Sequence, residues 1–308
     1  MKQPLPRQEN RTALLEALDK VVRCAKASRG QRILRKPLRY VALWRSRMGR
    51  SRSVQTHLFT GVPFQLALPS AADIFLCGGK THDSELRLAR FLIHYLPEQA
   101  YVLDVGAHYG YFTLLMAHLV REGRVFAVEA APASFVYLKQ NTERVGAIRC
   151  FAMGLSDTRG TIPFYTFPAE YSEYNTLDIA PYAGQSWFEK NPPHEEAIGV
   201  DTLDGFCAAH TPSVSWIKMD VEGAEERILN GANRQLQQGA VWVMEYLAQG
   251  NTASYEAAER LFLSAGYTAF AITENGHLER VSGILAWMKQ EGRESENMVF
   301  LREELPRN

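Results

Sequence analysis

The sequence predicts a doubly wound α/β fold with a mostly parallel seven-stranded sheet, an antiparallel edge and a basic helical extension at the N-terminus. From residue 101 onward, continuous apolar runs that fit buried strands alternate with amphipathic helical stretches. With 46% hydrophobic and 22% charged residues in 308, the composition is that of a globular chain. Positive charge is concentrated near the N-terminus. We therefore expect a basic helical arm, residues 1–56, joined to an α/β domain, residues 57–308.

The basic arm holds 15 Lys and Arg residues against three acids, a local net charge of +12, whereas the whole chain is neutral. Its first predicted helix has Leu14, Leu18 and Val21 at three- and four-residue spacing, with Gly30 as a stop. A second predicted helix carries an apolar stripe among arginines, and the stripe consists of Ile33, Leu34, Leu38, Val41 and Trp44.

This second helix has several interpretations. We expect its stripe to pack on the body while its arginines stay solvated. The alternatives are peripheral contact of residues 1–56 with an anionic membrane surface, and a homodimer interface. Nucleic acid is not expected as a partner, because no aromatic stacking platform accompanies the charge.

The body is predicted to contain seven sheet strands joined by helices. They span residues 101–107, 124–130, 148–153, 215–221, 240–247, 267–273 and 297–302. A strand-like stretch precedes them at 57–68, and an amphipathic helix opens at Thr81–Glu85. Right-handed crossovers between parallel strands place ligands at the carboxyl ends of the strands. The last two strands lack a long intervening helix and are expected to pair as an antiparallel edge.

The cysteines and apolar segments bear on the compartment. Cys24, Cys77, Cys150 and Cys207 lie far apart without a CxxC pair, so we expect free thiols in a reducing compartment. No apolar run reaches the roughly 18 residues that a membrane span needs. The first ten residues have no apolar core for a secretory signal. We expect a cytoplasmic protein, peripheral to the inner face of a membrane if the arm binds one.

The glycine-rich turn after the first sheet strand carries the sharpest motif. It runs Asp104-Val-Gly106-Ala-His108-Tyr-Gly110, and the glycines allow close approach of the backbone to a ligand. A dinucleotide loop would instead have GxGxxG spacing. A carboxylate at the strand end suits the ammonium of an amino acid better than a phosphate. We expect Asp104, Gly106, His108 and Gly110 to bind a cofactor.

The second strand ends in Glu129, where an acid accepts hydrogen bonds from ribose hydroxyls. An acid for an amino group and an acid for a ribose together indicate S-adenosylmethionine. Residues at the ends of the second and third strands complete the expected cofactor site: Ala130, Met153, Gly154 and Ser156, with Leu155 beside the adenine and Asp157 as an alternative acceptor of its amino group. Met153 and Leu155 fit a buried core equally well.

The fourth strand carries the expected catalytic groups Lys218, Asp220 and Glu222. A hydroxyl acceptor must lose its proton as the methyl group is transferred, so Asp220 or Glu222 is expected to accept it. Lys218 would orient that acid or bind an anionic acceptor.

Further acceptor contacts are expected outside that strand. Glu245, on the adjacent strand, and Asn175 and His194 are the expected substrate-binding residues. The last two belong to an irregular aromatic-rich stretch, residues 164–198, that forms either a lid over a sugar or a small structural core. A divalent metal shared by Asp220 and Glu245 is not favoured, because a third ligand is missing.

Four segments together resemble FkbM-type S-adenosylmethionine-dependent methyltransferases. They are LDVGAHYGYFTLL, VEAAPASFVYLKQN, the triplet Thr202-Leu203-Asp204, and IKMDVEGAEERIL, within residues 75–250. The chain departs from the family at His108, usually asparagine, and at Ala130, usually proline. The resemblance implies a Rossmann-like methyltransferase sheet and O-methylation, often of sugars.

We therefore expect an S-adenosylmethionine-dependent O-methyltransferase that acts on a hydroxyl of a sugar, a glycan or glycolipid precursor, or a related small molecule. The alternatives are an NAD-dependent oxidoreductase and a non-catalytic scaffold that retains the cofactor fold. Preference for NAD over S-adenosylhomocysteine would support the first alternative.

Overall fold

The structure, a computed structural model, describes residues 11–48, 52–179, 182, 184–211, 213–221, 223–248, 252–303 and 305. Its α-helices are α1 Arg11–Lys26, α2 Arg29–Arg35, α3 Pro37–Arg47, α4 Ala72–Cys77, α5 Asp83–Tyr95, α6 Tyr111–Leu119, α7 Pro132–Thr142, α8 Ser186–Lys190, α9 Leu203–His210, α10 Glu225–Asn230, α11 Asn233–Gln237, α12 Thr252–Ser264 and α13 Ile284–Gln290. Its strands are β1 Arg52–His57, β2 Pro63–Leu68, β3 Tyr101–Val105, β4 Arg124–Glu129, β5 Ile148–Ala152, β6 Gly154–Ser156, β7 Gly160–Thr166, β8 His194–Thr202, β9 Trp216–Met219, β10 Val241–Leu247, β11 Thr268–Ile272, β12 Leu278–Val281 and β13 Ser295–Leu301. A 3-10 helix spans Ala169–Tyr174.

The central sheet has the strand order β12-β11-β13-β10-β9-β3-β4-β5. Its five strands from β10 to β5 are parallel, and β13 pairs antiparallel with both β10 and β11. The doubly wound fold and its antiparallel edge are confirmed. The sheet has eight strands rather than seven, because β12 folds back on β11 as a hairpin.

Both faces of the sheet are covered, as the continuous apolar strands require. On β3, Val102 belongs to the core on one face, and Leu103 and Val105 belong to the core on the other. Smaller sheets, β1-β2 and β6-β8-β7, flank the central one. One predicted helix is wrong: residues 224–236 form two short helices, α10 and α11, separated at Gly231, where an added Cβ would lie 2.4 Å from the carbonyl oxygen of Ser156.

Helix α5 is fixed against strand β13 by buried polar contacts. The Ser84 hydroxyl accepts hydrogen bonds from the backbone and side-chain N–H groups of Asn297 at 2.9 and 2.7 Å. Arg87 pairs with the fully buried Glu296 at 2.6 Å. Breaking such a pair leaves an uncompensated buried charge. These contacts hold the first turn of α5 beside the carboxyl ends of the parallel strands.

Helix α1 packs on the body through its buried residues Leu14, Leu18 and Val21. The Arg11 guanidinium donates to the carbonyl oxygens of Ile93 and Leu96 at the end of α5, where helix carbonyls lack intrahelical partners. The predicted stop at Gly30 is wrong. The first helix ends at Lys26, and a capping box at Ser28 then starts α2, which contains Gly30.

The predicted packing of the second stripe on the body is also wrong. Leu34 is 83%, Leu38 82% and Trp44 61% exposed, and Ile33 and Val41 are exposed as well. Pro37 at the start of α3 divides the segment into two helices, and α3 turns Leu43 and Ser46 inward instead. Strand β1 runs across the expected boundary between residues 56 and 57, and the division into two domains stays a prediction.

A disulfide joins Cys24 of α1 to Cys77 of α4, with Cα atoms 5.7 Å apart. The expectation of four free thiols is therefore wrong for this pair, because the fold brings together two cysteines that are 53 residues apart. Cys150 and Cys207 are free. The argument for a reducing compartment loses its premise. Within the described ranges, no helix is both long and apolar enough to span a bilayer.

Candidate active site

A cavity opens at the carboxyl ends of β3, β4, β5, β9 and β10. It lies beside the topological switch point between β3 and β9, on either side of which the strands are added in opposite directions. Ten of the predicted site residues line it: Gly106, His108, Glu129, Ala130, Met153, Gly154, Leu155, Asn175, Asp220 and Glu245. Four further predicted residues, Asp104, Ser156, Lys218 and His194, lie behind its wall or away from it, and Gly110 shapes the loop beneath it.

The loop after β3 depends on its glycines. Gly106 has φ 76°, and an added Cβ would lie 1.8 Å from the carbonyl oxygen of Asp220. Gly110 has φ 90° and precedes α6, where an added Cβ would lie 2.9 Å from Leu138 Cδ1. The first glycine therefore lets the β3 loop touch the end of β9, and the second lets α6 start close to α7.

His108 follows in the left-handed region, with φ 49°. Its backbone N–H donates to Glu129 Oε2 at 2.7 Å, and its Nε2 lies 3.2 Å from the Ser172 hydroxyl. Burial, together with the charge of Lys80, lowers the pKa of His108 to about 3. His108 is therefore neutral, and it adds a hydrogen-bonding group rather than a charge to the cavity wall.

Glu129 lies at the end of β4 with its carboxylate facing the cavity and only 7% exposed. Its Oε1 accepts a hydrogen bond from the Ala131 N–H at 2.8 Å, and Oε2 accepts the one from His108. Burial raises the pKa of Glu129 to about 7 despite these two donors. Each oxygen retains a lone pair, so the carboxylate can accept further hydrogen bonds from ligand hydroxyl groups.

Asp104 does not occupy the expected position. It is fully buried, accepts a hydrogen bond from the Thr113 hydroxyl at 2.5 Å, and lies 3.5 Å from Lys218 Nζ. Asp104 and Lys218 are directly opposite in the paired strands β3 and β9, so their side chains share a face. Asp104 does not line the cavity in this structure, and its contact with a ligand ammonium stays a prediction. Asp104 supports Lys218 instead.

Lys218, Asp220 and Glu245 form a chain of interacting ionisable groups, of which Asp220 and Glu245 line the cavity and Lys218 lies behind them. Lys218 Nζ donates to Asp220 Oδ2 at 3.1 Å. Burial acts to raise the pKa of Asp220, but the Lys218 ammonium and a hydrogen bond from Glu245 outweigh it and hold that pKa below its usual value. Glu245 also accepts a hydrogen bond from the Ser295 hydroxyl at 2.6 Å. Asp220 is therefore an ionised carboxylate at the cavity surface.

An apolar slot adjoins Glu129. It is lined by Met153, which follows β5, by Leu155 of β6, and by Phe164 and Ile198 of β7 and β8. Gly154 leaves room in this wall, where an added Cβ would lie 3.1 Å from Ile198 Cδ1. A slot of this kind beside a buried acid is suited to a flat heterocycle.

Ser156 and Asp157, the expected acceptors of the adenine amino group, do not reach this slot. Ser156 is fully buried and donates to Asp157 Oδ1 at 2.9 Å. Asp157 points outward and pairs with Arg227 at 3.0 Å. Ser156 is the last residue of β6, which pairs with β8, and Asp157 follows that strand.

A cationic group flanked by acids completes the opposite end of the cavity. Lys80 Nζ lies 2.8 Å from Glu85 and 3.9 Å from Glu173. Burial acts to lower the pKa of Lys80, but these carboxylates raise it well above its usual value. The sequence indicated the helix start that carries Glu85, but Lys80 and Glu173 went unpredicted because they come from a loop and from the aromatic-rich stretch.

The aromatic-rich stretch forms a small core of its own. Trp187 stacks on Tyr171 and Tyr174 with ring centroids 4.9 Å apart, and Phe167 and Tyr182 pack around it. This core fixes the segment from which Ser172, Glu173 and Asn175 reach the cavity, and the Asn175 side chain accepts a hydrogen bond from the Phe167 N–H at 2.8 Å. His194 lies exposed at the start of β8 and does not line the cavity, and its role in substrate binding stays a prediction.

Glu222, the alternative proton acceptor, lies outside the described residues. Among the residues that the structure does describe, no group of three or more His, Cys, Asp or Glu is arranged to hold a metal ion.

Comparison with known proteins identifies relatives of this arrangement. The chain is 25% identical over 172 residues to "Methyltransferase sdnD" of Sordaria araneosa, covering 46% of this chain and 63% of that protein. It is 28% identical over 148 residues to "Methyltransferase 1" of Beauveria bassiana, covering 44% and 59%. It is 25% identical over 187 residues to "2-O-methyltransferase NoeI" of Sinorhizobium fredii, covering 57% and 75%. The chain thus spans less than two thirds of the first two relatives.

The model of the family described as "Methyltransferase FkbM domain" matches residues 104–290, more than half of the chain. The match begins at the acid before the glycine loop and includes β4, β9 and β10, whose ends form the cavity. The chain belongs to the FkbM methyltransferase family.

Proposed function

We propose that this protein is an S-adenosylmethionine-dependent O-methyltransferase whose acceptor is a hydroxyl of a sugar, a glycan or glycolipid precursor, or a related small molecule. The charge of the cavity carries the proposal. Among the described lining residues, five are carboxylic acids, Glu85, Glu129, Glu173, Asp220 and Glu245, and one is a lysine, Lys80. S-adenosylmethionine has two cationic groups and one carboxylate, so an acidic cavity attracts it.

The same charge argues against a nicotinamide cofactor. Its pyrophosphate would need a glycine-rich loop with free backbone donors and would be repelled by these carboxylates. The apolar slot of Met153, Leu155 and Ile198 fits the adenine, and Glu129 fits the ribose hydroxyls. Lys80 and its flanking acids fit the amino-acid end of S-adenosylmethionine, whose carboxylate needs a cation and whose ammonium needs an anion.

Methyl transfer is a direct displacement and does not require a covalent intermediate with the protein. When bound, S-adenosylmethionine supplies a methyl group on a positively charged sulfur. The chain must hold the acceptor oxygen in line with that carbon, and such positioning is worth about 7–11 kcal/mol. It must also accept the hydroxyl proton. Asp220 is our candidate for this role, since it lies at the cavity surface with Lys218 behind it and Glu245 beside it.

A low pKa does not disqualify Asp220 as the proton acceptor. An alcohol is far less acidic than a carboxylic acid, but the oxygen becomes strongly acidic as its bond to the methyl carbon forms. The proton can therefore pass to Asp220 late in the reaction, when even a weakly basic carboxylate is a sufficient acceptor. Lys218 keeps the carboxylate ionised and ready before this moment.

The acceptor class is inferred from the hydrogen-bonding groups that surround Asp220. Glu245, Ser172 and Asn175 offer acceptors and donors around the same space, as a polyhydroxylated ring requires. The relative NoeI is named as a 2-O-methyltransferase, which supports transfer to oxygen.

Two measurements test the proposal. Isothermal titration of the purified chain with S-adenosylhomocysteine and, separately, with NAD should give binding to the first alone. Transfer of a labelled methyl group from S-adenosylmethionine should then be measured on a panel of sugars, glycolipid precursors and simple alcohols. Preference for NAD would favour an oxidoreductase. Tight binding of S-adenosylhomocysteine without transfer to any acceptor would favour a non-catalytic scaffold.

A further inference from the structure

The outer surface of α2 and α3 is apolar, basic and exposed. Leu34, Leu38, Val41, Trp44 and Met48 recur along it at three- and four-residue intervals, and all are exposed. Residues 29–47 contain seven Lys and Arg and no Asp or Glu. We propose that this surface, the α2–α3 face, docks on a membrane that contains anionic phospholipids, with its apolar side chains in the headgroup region and its cations on lipid phosphates.

The other side of these helices already has its partners. Lys36 donates to the carbonyl oxygen of Leu76, and Arg39 donates to that of Phe75 and lies over its ring. Leu43 and Ser46 are buried on the body. Helix α3 is thus attached to the body through one side, and Lys36 fixes the junction between α2 and α3. The apolar residues on the α2–α3 face are therefore available to a partner rather than to the core.

A basic cavity of about 390 Å³ lies between α1, α2, the start of α3 and α4. Its lining contains five cationic side chains, Lys20, Arg23, Arg32, Arg35 and Lys36, and no described lining residue is acidic. Within the part of the chain that the structure describes, Arg32 Nε is buried without a hydrogen-bond partner. Clustered cations with unused donors suit a phosphate group, which offers several acceptor oxygens.

An anionic lipid surface satisfies both features at once. Amphipathic helices with arginines beside Leu and Trp bind in the interface plane, where apolar side chains enter the acyl boundary. Each Lys or Arg near an anionic leaflet strengthens the attraction. A second copy of the chain would instead bring two strongly basic faces together across a symmetric interface. Nucleic acid would use the cations but leave Leu34 and Leu38 exposed.

Vesicle binding of the full chain tests the proposal. The protein should bind vesicles of equimolar phosphatidylcholine and phosphatidylglycerol, and not phosphatidylcholine alone. The double variant Leu34→Ser with Leu38→Ser should bind the anionic vesicles at least about tenfold more weakly, because two inserted side chains are lost. Arg32→Gln with Arg35→Gln should weaken binding by about tenfold as well and reduce its dependence on salt.

Matched controls are available on exposed positions of the body. Val136→Ser with Leu263→Ser removes two exposed apolar side chains, and Lys139→Gln with Arg144→Gln removes two exposed cations. Both variants should bind vesicles like the unaltered chain. Since the assay requires no methyl transfer, its result is independent of the proposed function. Inorganic phosphate at the ionic strength of the assay should not displace the protein from vesicles more than sodium chloride does.

Several outcomes would overturn the proposal. Equal binding to neutral and anionic vesicles would remove the role of charge, and full binding by the Leu34/Leu38 variant would remove the role of the face. Binding to duplex RNA in place of vesicles would identify a nucleic-acid surface. A dimer in light scattering that the same variant converts to monomer would show that a second copy covers the face.

Discussion

The Cα atom of Gly106 lies so close to the carbonyl oxygen of Asp220 that an added Cβ would be 1.8 Å from it. The Asp220 N–H also donates to the carbonyl oxygen of Val105 at 3.1 Å. The glycine loop and the end of β9 are therefore in direct backbone contact. This contact sets the distance between the glycine loop, which is proposed to bind the cofactor, and Asp220, which is proposed to accept the proton.

Substituting Gly106 with alanine should disrupt this contact. The new Cβ requires the loop or the end of β9 to move, and the positive φ adds a backbone cost of about 1 kcal/mol. We expect methyl transfer to fall at least about a hundredfold, because displacements of about 1 Å have such effects. Thermal unfolding and methyl transfer should be measured together.

Gly61→Ala is the matched control, since Gly61 has φ 78° but no atom within 4 Å of an added Cβ. It carries the backbone cost without the collision. Its activity should therefore remain near that of the unaltered chain, with a small loss of stability. Equal behaviour of the two variants would show that the contact with Asp220 is unimportant.

Asp220→Asn should separate the acceptor reaction from cofactor binding. The amide keeps the size of the side chain but cannot take a proton, so kcat should fall by about 10²- to 10⁴-fold. Binding of S-adenosylhomocysteine should change little. Asp157→Asn is the control, because Asp157 pairs with Arg227 outside the cavity. If Asp220→Asn retains turnover, the proton acceptor is another group, and Glu222 becomes the first to test.

Lys218→Met tests a positioning residue through the pH profile. Removing the ammonium allows burial to raise the pKa of Asp220, which Lys218 now holds down. The acidic limb of the kcat profile should therefore move to higher pH. A purely structural role for Lys218 would lower stability and leave the position of that limb unchanged.

The pKa of Glu129, raised to about 7 by burial, predicts pH-dependent cofactor binding. Ribose hydroxyls donate to the ionised carboxylate, so a protonated Glu129 must lose its proton when the cofactor binds. Affinity should therefore fall as the pH drops below about 7, toward tenfold for each further unit. Titration calorimetry in buffers of different ionisation enthalpy should detect release of up to one proton.

Glu225→Gln provides the control for this titration. Burial raises the pKa of Glu225 to about 7 as well, but its side chain does not line the cavity. Proton release should persist in this variant and vanish in Glu129→Gln. If proton release vanishes in Glu225→Gln and persists in Glu129→Gln, the proton comes from Glu225. That result would contradict the proposed ribose role of Glu129.

The fold and one side of the cavity could be predicted because their signals are local. Apolar runs identify buried parallel strands, and acids directly after them, such as Glu129 and Asp220, fall at the carboxyl edge of the sheet. Asp104 shows where this reasoning ends. The role of Asp104 depends on its register opposite Lys218. The two strands are more than 100 residues apart, and neither segment alone predicts that they pair.

Contacts between segments that are distant in the sequence could not be predicted for the same reason. Lys80 lies near Glu173 because the aromatic core around Trp187 holds the segment that contains Glu173 at the cavity. The stripe was expected to pack on the body and is exposed instead, because an amphipathic pattern shows that a face is apolar but not what covers it. Helix α3, which begins at Pro37, turns Leu43 and Ser46 rather than the stripe to the body.

The disulfide between Cys24 and Cys77 ties the basic arm to the body, so reduction should loosen the arm. Closing a loop of this length stabilises a fold by about 2–5 kcal/mol. Cys24→Ser should therefore lower the unfolding temperature, and dithiothreitol should lower that of the unaltered chain but not of the variant. Cys207→Ser, at a free cysteine, should keep the response to dithiothreitol. An unaltered chain that is insensitive to dithiothreitol, with two further thiols titratable after unfolding without reductant, would show that the bridge does not form.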